Sequence, residues 1–175
     1  MPGNFEFRDL TDETRRIMLA ELADDEKEKS LYYSVCFSAT GPRLYPQLMR
    51  AAMETYDEAW LAQELLDQGC FGERYTDKTG QDRKVASNAH TLFAQSEFNR
   101  FYCRALCLQA IADTSIRLTI YRARESSFQR EGSMEKEDHL VVAQEVLDSL
   151  RGSVDEVSLF GRPDVGSGLS LWIQR

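Results

Sequence analysis

Residues 97–107, EFNRFYCRALC, decide the fold of this chain. Apolar residues recur there at steps of three and four, which is the spacing of one face of an α-helix. The stripe begins at Ala94 and ends at Ala112, and from Phe101 onward the sequence is apolar around almost the whole helix. We therefore predict a long helix over residues 88–112 that lies deep in the protein.

Shorter elements are predicted on both sides of this helix. Helices are expected at residues 12–27 with Thr11 as N-cap, from Pro46 to a break at a Thr55-x-x-Glu58 capping box, at 58–68 and at 142–150. Strands are expected at residues 31–37, 116–121 and 169–173, and residues 73–85 suit a hairpin or a mobile loop.

The order of these elements indicates the fold class. Helices and strands are mixed without a regular strand–helix–strand repeat, and no glycine-rich phosphate loop joins a strand to a helix. We predict a single α+β domain over residues 1–175, with a small mixed or antiparallel sheet packed against the long helix and several shorter helices. Flexible loops are expected near residues 73–86, 125–138 and 161–168.

Composition limits the possible functions. The chain has 175 residues, a formal net charge of −8 and 42% hydrophobic residues, which is the profile of a globular domain. The negative charge disfavours general nucleic-acid binding, which depends on neutralising phosphates. The sequence contains no apolar run long enough to span a bilayer and no basic-then-apolar start, so we expect a cytoplasmic protein without a membrane partner.

Charged residues on and after the long helix are the candidate functional residues. Glu97 and Arg100 face each other three positions apart, Arg104 lies one turn further on, and an arginine cluster follows the helix. The partner-binding candidates are Glu97, Arg100, Arg104, Arg122, Arg124 and Arg130. Three interpretations stay open for them: pairing inside the protein, contact with an acidic surface of a partner protein, and contact with nucleic acid.

The four cysteines are expected to be reduced, since no secretory signal is visible. Cys103 and Cys107 lie four positions apart on one helical face, but zinc needs two further ligands. Neither of the two histidines stands in a motif for nucleophilic catalysis. We predict no catalytic residue, no metal site and no cofactor.

Most of the chain resembles a family of small uncharacterised proteins of bacteria and their phages. The resemblance is carried by HTLFAQSEFNRFYCRALCLQAI, TIYRARES, VLDSLR and GSGLSLWI, together with EFRDLTDETRRIML and YPQLMRAAM. The succession SEFNRFYCRALC then LTIYRARES is also similar in outline to the phage minor head proteins, although the cysteine-and-histidine tail of that group is absent here. No catalytic motif accompanies either resemblance.

These observations favour a non-catalytic assembly protein, a subunit of a phage particle that binds other virion proteins or further copies of itself. One alternative is an enzyme or nucleic-acid-processing factor that uses Glu97, Arg100, Arg104 and Arg122. It requires these side chains to converge on a cleft open to solvent. A further alternative is an acidic mimic of nucleic acid, which requires the carboxylates of the first helix to form one continuous face.

Overall fold

A computed structural model describes residues 4–125, 136–152 and 167–174. In these residues the helices are α1 (Asp12–Lys27), α2 (Gly41–Glu54), α3 (Glu58–Asp67), α4 (Ala89–Ala112) and α5 (Ala143–Arg151). The strands are β1 (Arg74–Thr76), β2 (Asp82–Lys84), β3 (Arg117–Arg122), β4 (Leu140–Val141) and β5 (Leu169–Gln174). The class is α+β, as predicted.

The strands form two antiparallel sheets. β1 and β2 make a hairpin, and β3 lies between β4 and β5 in a three-stranded sheet. Leu118 and Ile120 of β3 turn toward the main core, whereas Tyr121 packs with Phe5 and Ala123 in a smaller cluster. Both faces of β3 are therefore covered, which explains why four of its six residues are buried in succession.

Helix α4 is the centre of the core. It contacts α1, α3, α5, β3 and β5, and its apolar residues from Phe93 to Ala110 are almost all buried. Small residues such as Ala94 and Ala105 alternate with Phe98 and Phe101, so neighbouring elements approach its backbone closely. The prediction of a deep central helix is confirmed.

A hydrogen-bonded polar group ties α4 to the sheet. Asn99 donates from Nδ2 to the carbonyl of Leu169 at 2.8 Å, and its Oδ1 accepts from the hydroxyl of Ser170 at 2.6 Å. The side chains of Asn99 and Ser170 are both buried. Such a group is tolerated in the core because its members supply one another's hydrogen bonds.

The strand predicted at residues 31–37 is wrong. These residues form turns and extended backbone, and only Phe37 makes a single β-bridge, to Phe71. Their aromatic side chains instead pack on the helices: the ring of Phe37 lies 4.9 Å from that of Phe93 and 5.6 Å from that of Tyr45. The aromatic richness that indicated a strand serves core packing.

One helix start and one N-cap also differ from the prediction. α2 begins at Gly41 rather than Pro46, because Pro42 lies in the first turn, where a missing N–H costs nothing. The predicted break after α2 is present, but the N-cap of α3 is Asp57, whose carboxylate accepts from the N–H of Trp60 at 2.8 Å. Thr11 caps α1 as predicted.

Of the three predicted loops, residues 73–86 contain the β1–β2 hairpin. Most of the other two lies outside the described residues, since 126–135 and 161–166 are not among them. Among the helices that are described, none has the length and apolar character needed to cross a membrane.

Candidate functional site

Arg104 lies at the centre of a buried charge network. Its side chain is 2% exposed, and its Nε donates to Glu21 Oε2 at 2.6 Å. Its Nη1 and Nη2 donate to the two carboxylate oxygens of Asp25 at 2.7 and 2.9 Å. Arg151 also donates from Nε to Glu21, at 3.0 Å. The network thus joins α1, α4 and α5.

The carboxyl groups of this network are held in their charged form. Burial alone would raise the pKa of Asp25, but the hydrogen bonds and positive charge of Arg104 outweigh it and lower that pKa. Burial would also raise the pKa of Glu21, but Arg151 and Arg104 outweigh that effect and lower it. The buried Arg104 and the exposed Arg151 therefore balance the two carboxylates.

Glu97 and Arg100 form a second buried pair next to this network. Arg100 Nη2 donates to Glu97 Oε2 at 2.6 Å, and the two side chains are 12% and 0% exposed. Burial raises the pKa of Glu97 despite the neighbouring guanidinium. Within the described part of the chain, Glu97 Oε1 and the hydroxyl of Tyr45 are buried without a hydrogen-bond partner.

The arginines after the long helix are also engaged within the chain. Arg122 donates from Nε to Glu137 at 2.7 Å, and Arg124 donates from Nη1 to Gln95 Oε1 at 2.5 Å. Burial lowers the pKa of Arg124, although Glu58 acts against that effect. Arg130 lies outside the described residues.

The predicted site residues are thus distributed over separate internal contacts. Arg104 binds carboxylates of α1, and Arg100 binds Glu97. Arg122 binds Glu137, just before β4, and Arg124 binds Gln95 of α4. Glu97 and Arg104 present no surface to a partner. Internal pairing, one of the interpretations that the sequence left open, is what the geometry shows for the five residues described.

The cysteines lie in packed surroundings. Cys70, Cys103 and Cys107 are buried, and Cys36 is partly buried. Burial raises the pKa of the Cys103 thiol to about 12 and that of the Cys107 thiol further. In residues 4–125, 136–152 and 167–174, no three His, Cys, Asp or Glu side chains are grouped as metal ligands.

A surface cleft lies between the N-terminal segment and the corner that joins α2 to α3. Its volume is about 460 Å³. We call it the aromatic cleft, and it is lined by Phe5, Phe7, Leu10, Arg15, Thr55, Tyr56, Asp57, Glu58 and Trp60. The rings of Tyr56 and Trp60 are stacked with centroids 4.3 Å apart, and those of Phe5 and Phe7 are stacked at 5.3 Å.

The charged groups of the aromatic cleft hold its walls in place. Arg15 donates to the carbonyls of Ala52, Met53 and Tyr56 at 3.2, 2.8 and 2.9 Å, at the end of α2. Glu58, buried at 1% exposure, accepts from the N–H of Phe5 at 2.7 Å. Burial raises the pKa of Glu58, and the hydrogen bond from Phe5 opposes that effect.

A second groove, of about 340 Å³, lies beside the edge strand β4. Apolar side chains are exposed in this region: Leu140 is 54% exposed, Val142 58% and Ile111 40%. Groove-lining residues include Ile116, Leu118 and Val141. The strand is only two residues long, and short edge strands protect a sheet against unwanted pairing.

Sequence reasoning missed the aromatic cleft, although two signals for it are present. One is a pair of large aromatic residues, Tyr56 and Trp60, on either side of the start of a helix. The segment 51–73 contains no Lys or Arg, and we call it the acidic segment. Its acidic residues are Glu54, Asp57, Glu58, Glu64, Asp67 and Glu73.

Comparisons of this chain with protein-family models, with curated proteins and with solved structures give no match.

Proposed function

We propose that this chain is a non-catalytic assembly protein that acts by binding other proteins. The observation that carries the proposal is that the charged side chains of the aromatic cleft form hydrogen bonds with the backbone of this chain. Arg15, Asp57 and Glu58 each bind backbone groups of the same chain, which fixes the shape of the cleft. A cleft with stacked rings and a fixed frame is suited to recognition.

The buried charges support the same proposal. The enzyme alternative needs Glu97, Arg100, Arg104 and Arg122 to converge on an open cleft, and Glu97 and Arg104 can be compared with the clefts directly. Neither residue lines the aromatic cleft or the groove beside β4, and both are fully or almost fully buried. Arg104 joins α4 to α1, and Glu97 pairs with Arg100 within α4, which are structural roles.

We further propose that the assembly is a phage particle, in its head or connector region. This part of the proposal is supported by the resemblance of most of the chain to small uncharacterised proteins of bacteria and their phages. Residues 96–107 and 118–126 are also similar in outline to minor head proteins. The test is quantitative mass spectrometry of purified particles from cells that carry the gene. A fixed copy number per particle is expected.

Solution behaviour provides the second arm of the test. If the protein is absent from particles and sediments as a monomer with no bound protein in extracts of those cells, the assembly proposal fails. Should particles lack it while a defined complex with another protein is recovered, the interaction proposal stands and the virion setting is overturned.

A further inference from the structure

We propose that the aromatic cleft binds an arginine side chain of a partner protein, so that this chain recognises a basic segment. The inference rests on the proposed function, because it names the chemistry of the partner that an assembly protein would bind. It is argued from the rings, the charges and the size of the cleft.

The rings provide a surface for a cation. The faces of aromatic rings carry negative potential, and tryptophan attracts a cation over its face most strongly. Tyr56 is 46% exposed and stacks on Trp60 with an angle of 13° between the ring planes. The two rings cover each other's inner faces, so the outer face of the exposed Tyr56 is where a planar guanidinium group can stack.

The charges around the rings favour a positively charged ligand. Of the six carboxylates in the acidic segment, residues 51–73, those of Asp57 and Glu58 line the cleft, and the segment contains no Lys or Arg. Arg15 is the one cation among the lining residues, and its guanidinium is occupied by three carbonyls at the end of α2. That end of a helix carries negative partial charge, which offsets the charge of Arg15.

The chain already uses this kind of contact. The guanidinium of Arg8 lies 4.3 Å from the ring centroid of Tyr121 and 5.1 Å from that of Trp172. In the aromatic cleft, no arginine of the described residues lies over the stack of Tyr56 on Trp60. Its volume of about 460 Å³ accommodates one long side chain together with adjoining backbone.

The test uses the full chain with Trp172→Phe, so that Trp60 is the single tryptophan and its fluorescence reports on the cleft. The probe is a short peptide of alternating Arg and Gly, and the comparison peptide carries Gln in place of Arg. The Arg peptide is expected to give a saturable change in Trp60 emission that weakens with salt. The Gln peptide is expected to give none.

Two variants with matched controls locate the binding. Tyr56→Ala removes one ring, and its control is Tyr33→Ala, an equally exposed tyrosine outside the cleft. Asp57→Asn removes a charge but keeps an N-cap, because asparagine caps as well as aspartate. Its control is Asp24→Asn, an exposed acid near the far end of α1. The cleft variants should bind about two- to fivefold more weakly, and the controls should bind like the parent.

Three outcomes would overturn the inference. The first is the absence of a saturable fluorescence signal, and the second is equal binding of the Arg and Gln peptides. The third is equal weakening of Arg-peptide binding by Asp24→Asn and Asp57→Asn, which would indicate attraction to the net charge alone. The proposed function is tested separately in particles. If Tyr56→Ala and Asp57→Asn proteins enter particles at the parental copy number, assembly stands and the role of the cleft fails.

Discussion

Arg104 and Asp25 form a bidentate ion pair inside the protein, with two N–H···O hydrogen bonds of 2.7 and 2.9 Å between α4 and α1. Both side chains are almost fully enclosed, and Glu21 takes the remaining Nε of the same guanidinium. A buried ion pair adds little net stability to a fold. Removing one partner is nevertheless strongly destabilising, because it leaves an uncompensated charge in the interior.

Replacement of Arg104 by Ala is therefore expected to destabilise the protein by about 3–5 kcal/mol. Two carboxylates would lose their main cation and a large cavity would open beside Phe101. The measurement is urea denaturation followed by circular dichroism. Arg16→Ala is the control, because Arg16 pairs with Glu13 at the surface, and it should not shift the midpoint measurably. Equal midpoints for the two variants would contradict the structural role of Arg104.

The pH dependence of stability follows from the same network. The pKa values of Asp25 and Glu21 are lowered in the folded state. The two carboxylates therefore contribute fully to the free energy of unfolding above their unfolded pKa values of about 4, and this contribution is lost as the pH falls through their folded pKa values. Thermal denaturation should show a falling Tm below about pH 4. The fall should be smaller in Arg104→Met, because Arg104 is the main cause of the lowering for Asp25, while Arg151 still lowers the pKa of Glu21. An identical fall in that variant would refute this origin.

The pKa of Glu58 is shifted in the opposite direction, so its effect on the pH dependence of stability has the opposite sign. Burial raises its pKa, so the folded state takes up a proton more readily than the unfolded chain, and ionised Glu58 weakens folding at neutral pH relative to acid pH. Glu58→Gln keeps an oxygen for the N–H of Phe5 and removes the charge. At pH 7 this variant should be at least as stable as the parent, and the difference should shrink as the pH falls toward 4. A lower Tm of the variant at pH 7 would show that the charge of Glu58 is required.

Thiol reactivity tests the packing of the cysteines. Cys70, Cys103 and Cys107 are buried, and burial raises the pKa of each thiol. At pH 8 the native protein should react rapidly with a thiol reagent such as Ellman's reagent at Cys36 only, and all four cysteines should react in denaturant. Cys36→Ser should abolish the rapid phase. Rapid labelling of Cys103 in the native protein would mean that the α4–β5 interface opens readily.

The sequence was sufficient for elements whose signal is local and repeated. The apolar stripe of α4, the cap of α1 at Thr11 and the alternating apolar residues of β5 can each be recognised within the sequence of one element. It was insufficient at residues 31–37, where tertiary packing on Phe93 replaced strand pairing. β4 was missed because two residues give no periodic pattern.

The candidate site was harder to predict for a different reason. Helical spacing correctly separated Glu97, Arg100 and Arg104 from the apolar face, but it could not show which distant elements supply their partners. Asp25 and Glu21 lie about 80 positions away in the chain. The aromatic cleft likewise brings Phe5 to Glu58 across 53 positions. Such contacts are set by how the helices pack.

Gly41 provides a local test of the packing around α2. A Cβ on this residue would lie 2.5 Å from the carbonyl oxygen of Cys70 and 2.6 Å from Cγ of Phe37, closer than atoms can approach without a shift. Gly41→Ala should therefore destabilise the protein by about 1–3 kcal/mol, the range for an overpacked interior.

The matched control for this change is Gly72→Ala. The nearest atom to a Cβ there is the carbonyl oxygen of Arg74 at 3.5 Å, an ordinary contact. Since alanine also reduces the freedom of the unfolded chain, this variant should be as stable as the parent or gain up to about 1 kcal/mol. The urea midpoint of Gly41→Ala should therefore lie clearly below that of Gly72→Ala. If Gly41→Ala proves as stable as Gly72→Ala, the segment around Phe37 does not pack against the start of α2 as closely as the structure places it.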